Sequence, residues 1–598
     1  MTNIIFADAE GDDFLEGLSR LWTIQLARSV DDPVEVFTDV PYEFYECLGI
    51  DRLPVLADGL RVLHEADKIA FHNGLRYDFW AIEKLFKGTL KREQIIDTLT
   101  ISRLIDAESK RHSLAELGEA VGLPKITHEW GFKEFHPDMI PYGKRDVEVL
   151  QRAWKGVPNK VHSFGGFYHK FTKACELEFH TQFILAKQEQ HGFRFDVQGA
   201  LELETELRVE YRQKELEVRD IFPPIVHERY SEKRVDKITG KPVRLKDEIE
   251  VFNPNSNEHI ADRLIKKYGW EPIDLTPTGK AKVDEDILGK LPYPEAQTIA
   301  RAKRLTKMLG QLSDGDNGWL KLVTDKGYVH GAVNPLGART HRMAHFKPNM
   351  AQVDKDPRMR SLWLPDEGQI QVGVDAKGLE LRMLAHYLAR YDGGAYAGYV
   401  HTGDPHEVNR VAAELFLRDS AKTIIYALLY GSGDRNLGRI VLEDLKKAGE
   451  KVPKVSLTKL GKAVRAKLEA NIAGFKDLTA QCKAFHAKRG VLPGLDGRWI
   501  SSNSDHSALN TLLQGNGAIV MKQAQIFFDE YTLGLQAEGK FGWLATVHDE
   551  WQTTADTTVA EEVRELGKKA ITQAGIALGV RCPLEGSGAM GYNWAETH

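Results

Sequence analysis

Arg418, Lys422, Tyr426 and Tyr430 recur every four residues in the segment RDSAKTIIYALLYG. A step of four along an α-helix drifts by only about 40°. Two cations followed by two aromatic rings therefore share one stripe of a single helix. Cations at one end of such a stripe can hold a triphosphate, and flat rings further along can press on a sugar and a base. The stripe reads as a face for a nucleotide, and a chain that carries it needs carboxylates elsewhere to hold metal ions.

At 598 residues the chain is too long for one core, and length alone suggests about three to five domains. Its 42% hydrophobic and 28% charged content is ordinary for a soluble globular protein. Cys47, Cys175, Cys482 and Cys582 are scattered, with no CxxC pair. That argues against a disulfide framework and a structural zinc site, and fits a reducing cytoplasm. The opening MTNIIFADAE has an acid right after a short apolar run, unlike a signal or transit peptide. No apolar stretch approaches membrane-spanning length. The net charge of −6 does not advertise a nucleic-acid binder, but acidic metal sites and basic grooves cancel in such a sum. The lysine-rich run from Arg435 to Arg489 reads first as a solvated helical surface.

Along the chain, IIFAD reads as a short buried strand ending in acids, and FHNGLRYDFWAIEKLF as a loop entering a helix. YGKRDVEVLQRAW reads as a helix with its polar face toward Asp146. Glycine and polar residues near 156–170 suggest a boundary. A long charged helix, QGALELETELRVEYRQKELEVRDIF, is closed by Pro223 and Pro224. ITGKPVRL reads as an exposed hairpin or loop. Beyond Gly337 the pattern turns to strand–helix–strand: QIQVGVDA a strand, LELRMLAHYLARY a helix, WLATVHDEWQTTA two strands joined by a turn at His548–Asp549.

Two groups of carboxylates stand out. Asp375 ends an apolar strand and Asp549 sits in a strand–turn–strand. A carboxylate pressed toward low dielectric is costly unless a cation compensates it. Two side by side can clamp magnesium ions across a phosphoryl group, although either alone is equally a turn or cap residue. In the second group, Asp8 and Glu10 alternate on one strand and so point to one face. Asp78 follows at a helix entry, and Tyr142 and Asp146 form an i, i+4 pair. Four carboxylates and a phenol suit a two-metal hydrolase that cuts a phosphodiester; by spacing alone a solvated strand end explains Asp8 and Glu10 as well.

Taken in order, VDAKGLELRMLAH, RDSAKTIIYALLYG and VHDE resemble the three palm-and-fingers motifs of family A DNA polymerases. The spelling is most similar to the replicative polymerases of T-seven-like short-tailed bacteriophages. NPLGARTHRMAHFKPNMAQ, HTGDPHEVN, GLDGRW, ALNTLLQGNGA and MGYNWAETH match further, and HGFRFD, FNPNSNEHI and TPTGKAKVDEDIL resemble thumb signatures. DAE, FHNGLRYD and YGKRD resemble the motifs of a proofreading 3′–5′ exonuclease. The resemblance covers nearly the whole chain. It implies an α/β multidomain fold: an RNase H-like exonuclease domain over 1–160, a linker over 161–178, and a right hand. The hand comprises a thumb over 179–333, palm over 334–405 and 508–598, and fingers over 406–507.

By the same resemblance, Asp375, Asp549 and the Ala376 carbonyl bind metal in the polymerase site, and Glu550 supports them. Arg418, Lys422 and His406 contact the triphosphate, with Lys422 also protonating the leaving pyrophosphate. Glu380 blocks a 2′-hydroxyl, Tyr426 tolerates dideoxynucleotides, and Tyr430 stacks near the templating base. Arg342, His548, Asn510, Gln514 and Arg498 contact DNA, the primer terminus lying near His548 and the minor-groove edge near Arg342, Asn510 and Gln514. Asp8, Glu10, Asp78 and Asp146 hold exonuclease metals and Tyr142 orients water. The implied cofactor is magnesium, two ions per site, with manganese as a substitute.

The implied partners are primer–template DNA and deoxynucleoside triphosphates, with a helicase–primase and a single-stranded DNA-binding protein by analogy. The chain is expected to act as a monomer in the cytoplasm of a bacterial host, off the membrane. One departure matters: the related phage enzymes carry a long thumb insertion that captures thioredoxin, whereas here the region 225–250 is short. Thioredoxin is therefore not an expected partner. A single-subunit RNA polymerase shares the palm motifs, but the exonuclease motifs and Glu380 argue against it. Intact Asp375, Lys422 and Asp549 argue against a scaffold with decayed sites.

Overall fold

The computed structural model describes residues 3–40, 44–45, 51–157, 162–272, 275–276 and 278–598. Cys47, Pro277 of TPTGKAKVDEDIL and part of the expected boundary near 156–170 lie outside them. Among the described residues no helix is long and apolar enough to cross a membrane.

Five strands open the fold: β1 (Ile4–Gly11), β2 (Leu21–Ala27), β3 (Glu35–Thr38), β4 (Lys68–Phe71) and β5 (Ile95–Asp97), in the order β3-β2-β1-β4-β5. β1 runs antiparallel to β2 and parallel to β4. Ile5, Phe6 and Ala7 are all buried, so both faces of this central strand are covered. The helix Met139–Lys155 lies across the sheet and buries Val147 and Leu150. It comes very close: a Cβ on Gly143 would stand 2.3 Å from the Gln25 side chain. That approach brings Asp146, one turn further on, over β1.

The expected linker over 161–178 is not one. Helices Phe164–Lys170 and Thr172–His191 occupy it, and Phe164, Phe167, Phe171, Cys175 and Phe179 are buried in the first core. Aromatic residues recurring at helical spacing outweighed the glycines there. The helix Thr172–His191 also runs unbroken through the expected 178/179 boundary.

The charged segment forms the helix Val197–Ile221, which ends just before the two prolines, and a second long helix, Pro294–Leu309, packs along it. Between them rises an exposed ribbon of two short ladders, Ile225–His227 with Glu248–Glu250 and Tyr230–Val235 with Pro242–Arg244. The hairpin expected at ITGKPVRL is its tip.

The last sheet is wholly antiparallel. β6 (Gln369–Ala376), β7 (Phe541–Val547), β8 (Glu550–Asp556) and β9 (Gly586–Gly591) lie in the order β7-β8-β6-β9. Helices Ala508–Ala537 and Ala560–Ala577 pack against it, with Phe528, Trp551, Val563 and Ile571 buried between. Ring pairs such as Phe528 with Trp543 at 5.3 Å and with Trp551 at 5.4 Å fix the sheet against the longer helix.

Candidate active sites

β7 and β8 form a two-residue hairpin, with Val547 paired to Glu550 and His548–Asp549 as its loop. A loop this tight needs a positive φ at its first residue, a place glycine usually takes. His548 takes it at φ 56°. An unfavourable backbone of this kind is held only where the surroundings over-determine it. β6 pairs with β8 so that Asp375 stands opposite Glu550. One step on, the Ala376 N–H donates to the Asp549 carbonyl at 3.0 Å. The register thus brings Asp375 and Asp549, distant in sequence, to one end of two adjacent strands.

Their electrostatics show the crowding. Asp375 is solvent-accessible, yet surrounding protein holds its carboxyl up at about 7, first through lost hydration, then through Asp549 and Glu550. Asp549, half-buried, is raised to about 6 by burial and then by Glu380. Glu550 behaves oppositely. Burial pushes it up, but hydrogen bonds from His598, Gln552 and Trp594 win and keep it below the usual range. Trp594 Nε1 donates at 2.8 Å, and His598 Nδ1 lies 2.6 Å from the second oxygen. Glu550 is therefore tied to the last residues of the chain. The segment MGYNWAETH resembled the family without revealing this: nothing in its spelling says where it folds back.

The stripe forms as its spacing predicts. The helix Arg418–Leu429 carries three of its members, and Tyr430 caps the end, its N–H still donating to the Tyr426 carbonyl at 2.8 Å. The rings of Tyr426 and Tyr430 are 6.4 Å apart and nearly parallel at 22°. Arg418 and Lys422 are exposed. Arg418 is held by Asp404 at 2.6 and 3.0 Å, in a pair open enough to solvent to be weak. His406, on the neighbouring helix Pro405–Ala413, has a buried Nδ1 with no hydrogen-bond partner, and its ring lies 6.2 Å from Tyr426. Glu380 closes the far side: its Oε1 accepts from Tyr430 Oη at 2.9 Å and from Arg342 Nη2 at 2.9 Å. The aromatic end of the stripe thus reaches the acids: burial, then Glu380 and Asp549, raises the Tyr426 hydroxyl above its usual range.

A second cleft, of about 2140 Å³, lies against the first sheet. Asp8, Glu10 and Asp146 each place a carboxylate oxygen within 4.8 Å of the others. Asp78 joins them through its Oδ1, which accepts from the Ala9 N–H at 3.1 Å. Burial, then mutual repulsion, raises Asp8 well above its usual range and Glu10 to about 8. Asp78 reaches about 7, chiefly by burial. Lys125 Nζ sits 2.7 Å from Asp146 Oδ2 and 4.6 Å from the centre of the Tyr142 ring. Its place was hidden in the sequence, since it arrives from a loop with no motif of its own. Asp146 Oδ1 is buried without a partner. An orphaned carboxylate oxygen among raised acids is the donor set a hard divalent cation takes.

Residues 227–596 match DNA polymerase family A. The chain belongs to this family. It is 31% identical to the DNA-directed DNA polymerase of Enterobacteria phage T3 over 89% of this chain and 92% of that one. The DNA-directed DNA polymerase of Escherichia phage T7 gives the same identity and coverage. Among solved structures, the fold is similar to the POL domain of Pol1 from M. smegmatis in complex with DNA primer-template and dNTP. The TM-score there is 0.72 at 18% identity, covering 99% of this chain and 96% of that one.

Within this family A chain the expected DNA contacts fare unevenly. Arg342 and His548 line a small cavity together with Asp549. Asn510 and Gln514 share one half-buried face of the helix Ala508–Ala537, and Asn510 Nδ2 donates to the Leu429 carbonyl at 2.7 Å. Arg498 does not reach any surface. It is 1% exposed and ion-paired with Glu178 at 2.5 Å and Asp496 at 2.6 Å. The expectation that it touches DNA is therefore corrected: both acids fix its guanidinium inside the protein.

Proposed function

We propose that this chain adds deoxynucleotides to a primer 3′-hydroxyl on a DNA template and removes mispaired ends with a 3′–5′ exonuclease in its amino-terminal third. The observation that carries the reading is the meeting of Asp375 and Asp549 at one strand end, beside a helix whose Tyr426 and Tyr430 face Glu380 and whose Arg418 and Lys422 are exposed. The central placement of β1 in a mixed sheet, with Asp8 and Glu10 on one face, supports an RNase H-like exonuclease fold. The hand is read as a thumb ending at residue 333, palm over 334–405 and 508–598, and fingers over 406–507.

Two divalent cations per site, magnesium with manganese as substitute, fit the donors present: Asp375, Asp549 and the Ala376 carbonyl in one, Asp8, Glu10, Asp78 and Asp146 in the other. A cation there neutralises phosphate charge and lowers the pKa of a bound hydroxyl or water. The protein does the rest by position. Arg418 leaves Asp404 to fork onto phosphate oxygens. His406, half-buried beside Tyr426, turns the open part of its ring to the same group. As the primer oxygen bonds to the α-phosphorus and the bond to the β-phosphate oxygen breaks, Lys422 gives a proton to the departing pyrophosphate. Glu380, fixed by Tyr430 and Arg342, stands where a 2′-hydroxyl would fall. Tyr426 presents its hydroxyl to the 3′ side of the sugar. In the exonuclease, Tyr142 orients the attacking water.

The substrates are primer–template DNA and deoxynucleoside triphosphates. A helicase–primase and a single-stranded DNA-binding protein are partners by analogy, and the chain acts as a monomer in the host cytoplasm without thioredoxin. A gel of labelled primer–template with magnesium, run with and without nucleotides, tests both sites together. Extension with nucleotides and shortening without them are expected. Asp8→Ala with Glu10→Ala should stop the shortening alone, and continued digestion by the purified double variant would remove the exonuclease assignment.

A further inference from the structure

The helix Thr172–His191 belongs to both halves of the molecule. Its Cys175 and Phe179 pack into the first core, whereas Leu177 and Ile184 pack into the core of the last sheet. Glu178 lies among them and is fully buried. A buried carboxylate is costly unless cations and hydrogen bonds satisfy it. Two cations do: Arg498 Nη1 at 2.5 Å, and Lys522 Nζ at 2.6 and 2.8 Å from its two oxygens. Asp496 balances Arg498 from the other side.

Lys522 does more than balance Glu178. Its ammonium also reaches the Pro335 carbonyl at 2.8 Å and the His341 carbonyl at 3.0 Å. Four acceptors for three N–H groups leave it no freedom to turn. His341 is itself buried and held at φ 57°, a region that non-glycine residues avoid. It closes a tight turn, its N–H donating to the Ala338 carbonyl at 2.8 Å, while the Ala338 N–H donates to the Arg342 carbonyl at 3.1 Å. Arg342 leaves that turn directly toward Glu380. A cavity of about 20 Å³ is lined by Lys522, Arg342, Met521, His548 and Asp549, so the lysine stem also backs the catalytic hairpin.

We propose that Lys522, anchored by the buried Glu178, is a positioning residue of the polymerase site: it pins the His341 turn and so aims Arg342 at Glu380 and at the primer–template edge. The inference rests on the polymerase reading and adds a residue to it. An unpinned turn relaxes out of its positive φ, and Arg342 then loses the fixed origin it needs to distinguish a matched primer end from a mismatched one.

Because removing one partner of a buried pair can unfold a protein, the test uses Glu178→Gln with Lys522→Met, which deletes one charge of each sign, beside Lys522→Met alone. Single-nucleotide addition is measured from matched and mismatched primer ends, as kcat and KM separately, in the natural and the Arg342→Ala background. Digestion of single-stranded 3′ ends reports that the chain is folded. The double variant is expected to lose about tenfold in matched-over-mismatched preference, with digestion unchanged, and to lose nothing further once Arg342 is already alanine. Wild-type preference in the double variant would overturn the inference. So would an equal loss in both backgrounds, the mark of a merely structural role. Absence of any extension by the unaltered chain would instead sink the polymerase reading itself.

Discussion

Replacing Asp78 by asparagine should make the metal-free protein more stable, not less. Asp78 is 4% exposed and its carboxyl is raised from 3.8 to about 7, chiefly by burial. A raised acid pKa means that the folded state holds its proton more tightly than the unfolded chain does. The associated stability is complete below about pH 4 and is lost as pH rises through 7. A shift of about three units sets an upper bound of about 4 kcal/mol, at about 1.4 kcal/mol per unit; water entry and relaxation bring the expectation to about 2 kcal/mol. Asparagine cannot ionise, and its Oδ1 can still accept from the Ala9 N–H. For a domain of this size, about 2 kcal/mol corresponds to an upward shift of about 4–8 °C. The assay is thermal unfolding in chelator from pH 5 to pH 9, following the transition of the amino-terminal domain. The wild type should lose stability across that range, and Asp78→Asn should lose less and melt higher at pH 8. Adding magnesium should raise the wild type more than the variant. A variant that melts below the wild type at pH 8 without metal would refute the claim that uncompensated acids strain this site.

Three further outcomes are expected. Glu380→Ala strips a shared acceptor from Arg342 and Tyr430 and should raise ribonucleotide incorporation by about tenfold or more, read as the ratio of kcat/KM values; an unchanged ratio would show that Glu380 does not guard the sugar. Tyr426→Phe should strengthen discrimination against dideoxynucleotides, visible as fainter termination ladders at fixed nucleotide ratios. His598→Ala removes the contact at 2.6 Å from Glu550 and should slow nucleotide addition by about tenfold, with the exonuclease rate as the unchanged internal control.

Local periodicity made much of this legible. Alternation placed Asp8 and Glu10 on one face of β1, and steps of four placed Arg418, Lys422 and Tyr426 on one helix. The hairpin at His548–Asp549 was readable because the flanking runs are apolar and the tip is not. What stayed hidden is what only packing decides. Glycines near residue 165 suggested a linker, yet Gly165 lets a helix press on Trp154, where a Cβ would stand 2.6 Å from the indole nitrogen. Arg498 carried a family motif but spends its charge on Glu178, a residue distant in sequence. Lys125 and His598 sit in loops and ends whose direction no spacing encodes. Register between strands far apart in sequence is a tertiary property, so the motifs raise the expectation that Asp375 meets Asp549, and only the folded sheet fixes it.

That meeting is best tested by single-nucleotide addition to a primed template with magnesium, comparing the natural chain with Asp375→Ala and Asp549→Ala. Each substitution should lower the rate by about a thousandfold or more, and the two together should cost little beyond either one, since both acids serve one centre. A rate that survives either change, or losses that multiply as for independent sites, would contradict the account.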